Sequence, residues 1–205
     1  MTKRSSWILL GVAAVCAALS GFWLARKLDS SAPPLASGTW LGAPRDTGSL
    51  RLTDQDGRPF TQASLQGKSS LVFFGYTHCP DVCPTTLAKL AQVKKSAGVP
   101  GLQVVFVSVD PQRDTPAVLS TYVHAFDPQF IGLTGEPTAI AALTSKFGIA
   151  VARVELPGGD YTMDHSAAVF LLNTHGQIAA LFTPPFDVRQ MAQDLRSAAP
   201  YLTGS

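Results

Sequence analysis

Two segments in the middle of the chain constrain its fold most strongly, because each is a continuous apolar run that leads into a helical pattern. Residues 71–76 read LVFFGY and residues 104–109 read VVFVSV, as expected of strands buried on both faces of a sheet. After each run, beyond Pro84 and Pro116, apolar residues recur at helical spacing. Strands that alternate with helices in this way predict an α/β protein.

The rest of the pattern extends this fold toward both ends of residues 49–205. Leu50 to Leu52 and Pro59-Phe60, on either side of a turn at Asp56-Gly57, predict a short N-terminal hairpin. Two apolar runs joined by NTHG predict a second hairpin near the C-terminus. We therefore predict a thioredoxin-like sandwich, with a central mixed sheet, flanking helices and an extra N-terminal hairpin. The remaining predicted elements are strands at 131–133, 151–156, 169–172 and 178–182 and helices at 136–147 and 188–198.

A separate apolar segment lies near the N-terminus. Residues 7–25 contain no charged residue, and at about 1.5 Å per residue they just cross roughly 30 Å of hydrocarbon as a helix. We interpret residues 1–27 as a single-pass membrane anchor, with the short tail inside and the following domain exported. A cleaved signal peptide and a lipoprotein modified at Cys16 are the competing interpretations.

Composition sets the context of the exported part. Residues 28–48 are rich in Ser, Pro, Gly and Ala and are predicted to be a linker. The chain carries 16 Lys and Arg against 14 Asp and Glu, but four of the cations flank the apolar segment. The remainder is slightly acidic, so nucleic-acid binding has no electrostatic support. With 46% hydrophobic residues, the chain has enough apolar side chains for a substantial core.

Only two of the three cysteines, Cys79 and Cys83, lie outside the apolar segment. They follow a predicted buried strand and lie where the next helix begins, so the helix N-terminus is expected to favour their thiolates. If both lie on the first helical turn, their spacing puts them on one face. Two such thiolates suit copper(I). The same spacing also allows the two cysteines to form a redox-active disulfide. A static disulfide would add little stability, because it would close a very short loop.

An imidazole beside the two thiolates would allow the site to accept copper(II) as well. Of the four histidines, His78 adjoins Cys79, His124 lies in a predicted helix and His175 in a hairpin turn. His165 precedes a strand predicted to lie near the cysteines, and it is either a ligand or a loop histidine bonded to its neighbours. The residue patterns alone leave that choice open.

Three other positions have both a structural and a functional interpretation. Asp81 between the cysteines is interpreted mainly as a helix cap. The alternative is that it steers copper or tunes the basicity of the thiolates without binding the metal itself. The DPQRD turn at 110–114 is interpreted as a turn held by an internal Asp–Arg interaction. Met163 offers a thioether to copper(I), but a packing role is favoured.

Three ordered motifs resemble the Sco/SenC family of copper chaperones. These are FGYTHCPDVCP at 74–84, VSVDPQRDTP at 107–116 and DHS at 164–166, and the similarity runs from about residue 50 to the end. The resemblance implies a thioredoxin fold, an N-terminal anchor and one copper ion held by Cys79, Cys83 and His165.

The resemblance also implies a function. A chaperone of this kind, anchored in the inner membrane with its soluble domain in the periplasm, would deliver copper(I) or copper(II) to the CuA centre of cytochrome c oxidase subunit II. Another periplasmic copper chaperone would be its donor. In this scheme the protein is not an enzyme. The alternatives are a thiol–disulfide reductase that keeps the client's cysteines reduced, which needs the cysteine pair but not His165, and a thiol peroxidase, for which Arg113 is the only nearby arginine.

Overall fold

The computed structural model describes residues 14–21 and 33–203, and the chain divides into two compact units, Met1–Ala32 and Pro33–Ser205. In the first unit, residues 14–21 are helical. The rest of the predicted anchor, 1–27, lies outside the described residues. Within the described ranges, no helix combines the length and apolar character needed to cross a membrane.

The second unit is built on ten strands and four helices. The strands are β1 (Gly38–Arg45), β2 (Arg51–Asp54), β3 (Pro59–Thr61), β4 (Ser70–Gly75), β5 (Gln103–Ser108), β6 (Ile131–Thr134), β7 (Val151–Glu155), β8 (Tyr161–His165), β9 (Val169–Leu172) and β10 (Ile178–Phe182). The helices are α1 (Val82–Ala97), α2 (Pro116–His124), α3 (Pro137–Phe147) and α4 (Val188–Leu202), with a short 3-10 helix at Gln62–Leu65.

Eight of the strands form one mixed sheet in the order β1-β10-β9-β4-β5-β6-β2-β3. At its centre β4 runs parallel to β5 and antiparallel to β9. All residues of β4 and β5 are buried, which explains their uninterrupted apolar sequence. The predicted thioredoxin-like α/β fold with a central mixed sheet is confirmed.

The two predicted hairpins are also present. β2 pairs with β3 across the Asp56-Gly57 turn, and β9 pairs with β10. Helix α2 begins after Thr115, whose hydroxyl accepts a hydrogen bond from the amide of Val118, as expected of an N-cap followed by proline. Helix α1 ends at Gly98, which has a φ of 59°. Helices α1 and α4 pack against each other.

The structure differs from the predicted linker of 28–48. Residues 38–45 form β1, which extends the sheet by pairing antiparallel with β10. At the start of β1, the buried carboxylate of Asp194 in α4 accepts hydrogen bonds from the amides of Ala36, Ser37 and Gly38. An edge strand pairs through its backbone groups, so small and polar side chains are compatible with it. Composition alone therefore does not predict this strand. The folded unit therefore includes β1.

A second difference is β8, because the segment before β9 is predicted to be a loop. Instead, β8 pairs with β7 in a separate two-stranded sheet, with Val151 opposite His165. The period-2 pattern of Tyr161, Met163 and His165 after the Gly158-Gly159 turn is the signal that was available for it.

Candidate metal centre

The two cysteines lie on either side of the start of α1. Cys83 is in the first turn, whereas Cys79 lies in the loop before the N-cap residue Asp81. The condition that both cysteines lie on the first helical turn is therefore not met. The loop nevertheless returns Cys79 to the helix end, because its Sγ accepts a hydrogen bond of 3.4 Å from the amide of Cys83.

The environment of Cys83 differs from the one expected at a helix N-terminus. Its side chain is fully buried, and burial is the main cause that raises the pKa of its thiol, with the neighbouring Cys79 and the charge of Asp114 acting in the same direction. A backbone hydrogen bond from Tyr76 works against this rise. Burial of Cys83 therefore opposes the stabilisation of its thiolate that is expected at a helix N-terminus. Both cysteines are free thiols, and Cys79 is half-buried.

His165 is at the end of β8, and its Nε2 lies 3.6 Å from the Sγ of Cys83. Its Nδ1 is 3.2 Å from the carbonyl oxygen of Ser166. Because a carbonyl can only accept, Nδ1 carries the hydrogen and Nε2 has a free lone pair directed toward the sulfur. Burial lowers the pKa of His165, against the opposing effects of the Ser166 carbonyl and Asp164. The ring is therefore neutral at neutral pH, the form that binds metals.

The donor set fits a copper ion chemically. Two thiols and one neutral imidazole supply soft and borderline ligands, and a ligand histidine commonly donates its other N–H to a backbone carbonyl. In the described part of the chain, however, no three His, Cys, Asp or Glu side chains are already arranged to hold a metal ion. Cys83 and His165 are adjacent, so a three-ligand site requires these side chains and Cys79 to close further on one point.

Asp114 holds the loop before α1 that carries Cys79, here called the cysteine loop. Its carboxylate is fully buried and accepts three hydrogen bonds, from the Thr77 amide at 3.0 Å, the Thr77 hydroxyl at 2.6 Å and the Ser108 hydroxyl at 2.6 Å. Thr77 lies two residues before Cys79. From the sequence, Asp114 is predicted only to lie in a turn, and the one signal for its role is its position just after a buried strand.

Among the described residues, the other three histidines form no hydrogen bond with a cysteine sulfur. His78 is exposed, with Nδ1 3.1 Å from the Thr77 hydroxyl and 3.9 Å from a carboxylate oxygen of Asp114. His124 is exposed on α2, where its Nδ1 lies 3.4 Å from the hydroxyl of Ser120. His175 is exposed in the turn between β9 and β10.

Asp81 and Met163 take structural positions. Asp81 is the N-cap residue of α1, but its side chain makes no capping hydrogen bond to the helix backbone. It is exposed and accepts a bond of 3.3 Å from the Thr85 hydroxyl, so the predicted cap is present in position only. Met163 is half-buried and packs against the core, as favoured.

Gly75 at the end of β4 gives a first testable prediction. A Cβ at this position would lie 2.8 Å from the Cys83 Sγ and 2.7 Å from the Phe106 ring. Gly75→Ala should therefore displace Cys83 and lower the free energy of unfolding by about 1–3 kcal/mol. Gly42→Ala is the matched control, because a Cβ at Gly42 meets no atom within 4 Å. Chemical denaturation of both variants measures the difference, and equal unfolding midpoints would contradict the tight contact.

Comparison with known proteins adds an independent finding. A family model described as SCO1/SenC matches residues 41–200. A SCO2-like protein of Rickettsia conorii is 37% identical over 154 residues, which cover 73% of this chain and 75% of that protein. The mitochondrial SCO2 homolog of Bos taurus is 34% identical over 200 residues, covering 92% of this chain and 73% of that protein.

Solved structures show the same similarity. Bradyrhizobium japonicum ScoI with copper bound is 42% identical with a TM-score of 0.67, covering 73% of this chain and 96% of that one. Yeast Sco1 with copper bound is 30% identical with a TM-score of 0.72, covering 79% and 92%. BsSco, described as a member of the Sco family of cytochrome c oxidase assembly proteins, is 22% identical with a TM-score of 0.62 and supports the fold alone.

Proposed function

The chain belongs to the SCO1/SenC family, and from this premise we propose that it is a copper chaperone that binds copper through Cys79, Cys83 and His165. Its cargo would be delivered to the CuA centre of cytochrome c oxidase subunit II. The family is one of copper-binding proteins involved in cytochrome c oxidase assembly. The observation that carries the proposal is the distance of 3.6 Å between His165 Nε2 and the Cys83 sulfur.

The unequal burial of the two cysteines supports transfer by stepwise ligand exchange. Cys79 is half-buried and Cys83 fully buried, so a thiolate of the client reaches the site from the side of Cys79. Cys79 would release the copper first, and Cys83 last. Because burial raises the pKa of Cys83, its sulfur takes up a proton once the metal has left. This protonation favours release and makes copper binding weaker as the pH falls.

The second candidate is a thiol–disulfide reductase that keeps the client's copper-binding cysteines reduced. It is favoured by one observation: the side chain of Cys79 is partly accessible to solvent, and its sulfur accepts a hydrogen bond from the amide of Cys83 in the adjoining helix turn. A disulfide between these two cysteines would be the product. The redox state of the pair would then also decide whether copper is loaded. This reaction uses no ligand at position 165, which separates the two functions.

We also propose that residues 1–27 anchor the protein in the inner membrane, with the folded unit in the periplasm and a periplasmic copper chaperone as donor. The support is the charge-free stretch at 7–25. The helical conformation of residues 14–21 fits this placement.

One experiment separates chaperone from reductase. The full chain in detergent micelles is tested with the copper-binding domain of subunit II, once with copper transfer and once with disulfide reduction as the readout. We expect the wild type to transfer copper, and His165→Ala to lose copper(II) binding and its transfer. His175→Ala is the matched control, because His175 is exposed in a turn.

The contrary outcome is equally definite. A wild-type chain that transfers no copper but reduces the client disulfide, with His165→Ala as active as the wild type, would establish the reductase and refute the chaperone. Cys79→Ser should be inactive under both hypotheses and so verifies that each assay reports on the cysteine pair.

A further inference from the structure

The β7–β8 hairpin carries His165 at its end and stands apart from the main sheet. In the described part of the chain its strands pair only with each other. Every residue of β7 is exposed. Because no strand pairing ties the hairpin to the sheet, the position of His165 relative to the cysteines depends on side-chain contacts and on the short connection to β9.

Tyr161, at the start of β8, makes such contacts through its hydroxyl, its carbonyl and its ring. The hydroxyl donates a hydrogen bond of 2.9 Å to Asp110, and the carbonyl accepts one of 3.1 Å from Nη1 of Arg113. The guanidinium carbons of Arg113 and Arg153 lie 3.7 Å and 3.6 Å from the ring centroid. Two guanidinium groups so close to one centroid cannot share a face, so the ring lies between them.

The partners of Tyr161 belong to the turn at 110–114 that also holds the cysteine loop. Within this turn Arg113 Nε donates to the buried carboxylate of Asp110, which confirms the predicted Asp–Arg interaction. At the other end of the turn, Asp114 binds Thr77, close to Cys79. This one turn is therefore hydrogen-bonded both to the loop with the cysteines and to the hairpin with the histidine.

We propose that Tyr161 and Arg113 are positioning residues that hold the β7–β8 hairpin so that His165 stays beside Cys83. This inference rests on the proposed copper site, since it concerns the imidazole ligand. Two thiolates suffice for copper(I), whereas copper(II) is stabilised by the imidazole nitrogen. Loosening the hairpin should therefore weaken the binding of copper(II) and leave that of copper(I) unchanged.

The test compares Tyr161→Phe with Tyr201→Phe in the full chain. Tyr161→Phe removes only the hydroxyl bonded to Asp110, and Tyr201 is an exposed tyrosine whose ring packs against Trp40. We expect faster amide hydrogen exchange over residues 151–165 in copper-free Tyr161→Phe. Its copper(II) affinity should be about tenfold lower, as found for residues that orient a metal ligand. Arg113→Lys, which keeps the charge but loses the planar fork, should give the same pattern.

Two results would overturn the inference. One is that Tyr161→Phe and Tyr201→Phe have equal exchange rates in the hairpin. The other is an equal loss of copper(I) and copper(II) affinity together with a lower unfolding midpoint, which indicates a general structural role. If the wild type binds no copper, the proposed function fails, and hydrogen exchange in the copper-free chain still decides whether Tyr161 fixes the hairpin.

Discussion

Replacing Cys83 with serine is expected to reduce copper binding by the full chain from one ion per chain to none. A serine hydroxyl is a harder donor than a thiolate and stays protonated at neutral pH, so the site would keep only Cys79 and His165. Because Cys83 is fully buried beside Gly75, no solvent molecule can readily take the place of its sulfur. Copper content after equilibration with copper(I) and removal of unbound metal measures the loss.

Cys16→Ser is the matched control for this experiment. Cys16 is a free, exposed thiol in the first compact unit, and the same substitution there should leave one copper ion per chain. If Cys83→Ser retains a full equivalent of copper, or if Cys16→Ser loses it, the assignment of the site to the Cys79–Cys83 pair is wrong.

Asp114→Ala is expected to be the most destabilising change in the support of the cysteine loop. It leaves the amide and hydroxyl of Thr77 and the hydroxyl of Ser108 without their acceptor. At about 1–3 kcal/mol for each buried donor left unsatisfied, and because Thr77 is only partly buried, we expect the free energy of unfolding to fall by about 3 kcal/mol. Chemical denaturation of the copper-free chain measures this change.

Asp81→Ala is the control, because Asp81 is an exposed acidic residue of the same loop. Its removal should change the free energy of unfolding by no more than about 0.5 kcal/mol. Asp114→Asn, which preserves the shape and one carbonyl oxygen, should fall between the two. Similar unfolding midpoints for Asp114→Ala and Asp81→Ala would show that the buried carboxylate does not support the loop.

The elements that the sequence predicts well are those whose pattern is set by burial in the sheet. The runs at β4 and β5 are apolar throughout because both faces are covered. The β9–β10 hairpin is predicted with its observed bounds. The edge strand β1 is missed, because its pairing with β10 depends on backbone groups and on the distant carboxylate of Asp194.

The candidate site is predictable in its residue types but not in its electrostatics. The proximity of Cys83 and His165 depends on where the β7–β8 hairpin folds, and no local pattern fixes this. The pKa of Cys83 is raised, opposite to the local expectation, because tertiary burial removes solvent from a thiol that the helix terminus alone would stabilise as an anion. Asp114 and Tyr161 form hydrogen bonds with residues far away in the sequence, so their roles can be recognised only in the folded chain.

X-ray absorption at the copper edge tests the proposed site most directly. The full chain and the His165→Ala variant, both loaded with copper(I), should be compared at equal metal content. The three-ligand site predicts two sulfur neighbours and an imidazole nitrogen from a histidine in the wild type, and the same two sulfurs without the imidazole signal in His165→Ala. An unchanged imidazole signal in His165→Ala, or a wild-type spectrum without two sulfur neighbours, would contradict the copper site proposed for Cys79, Cys83 and His165.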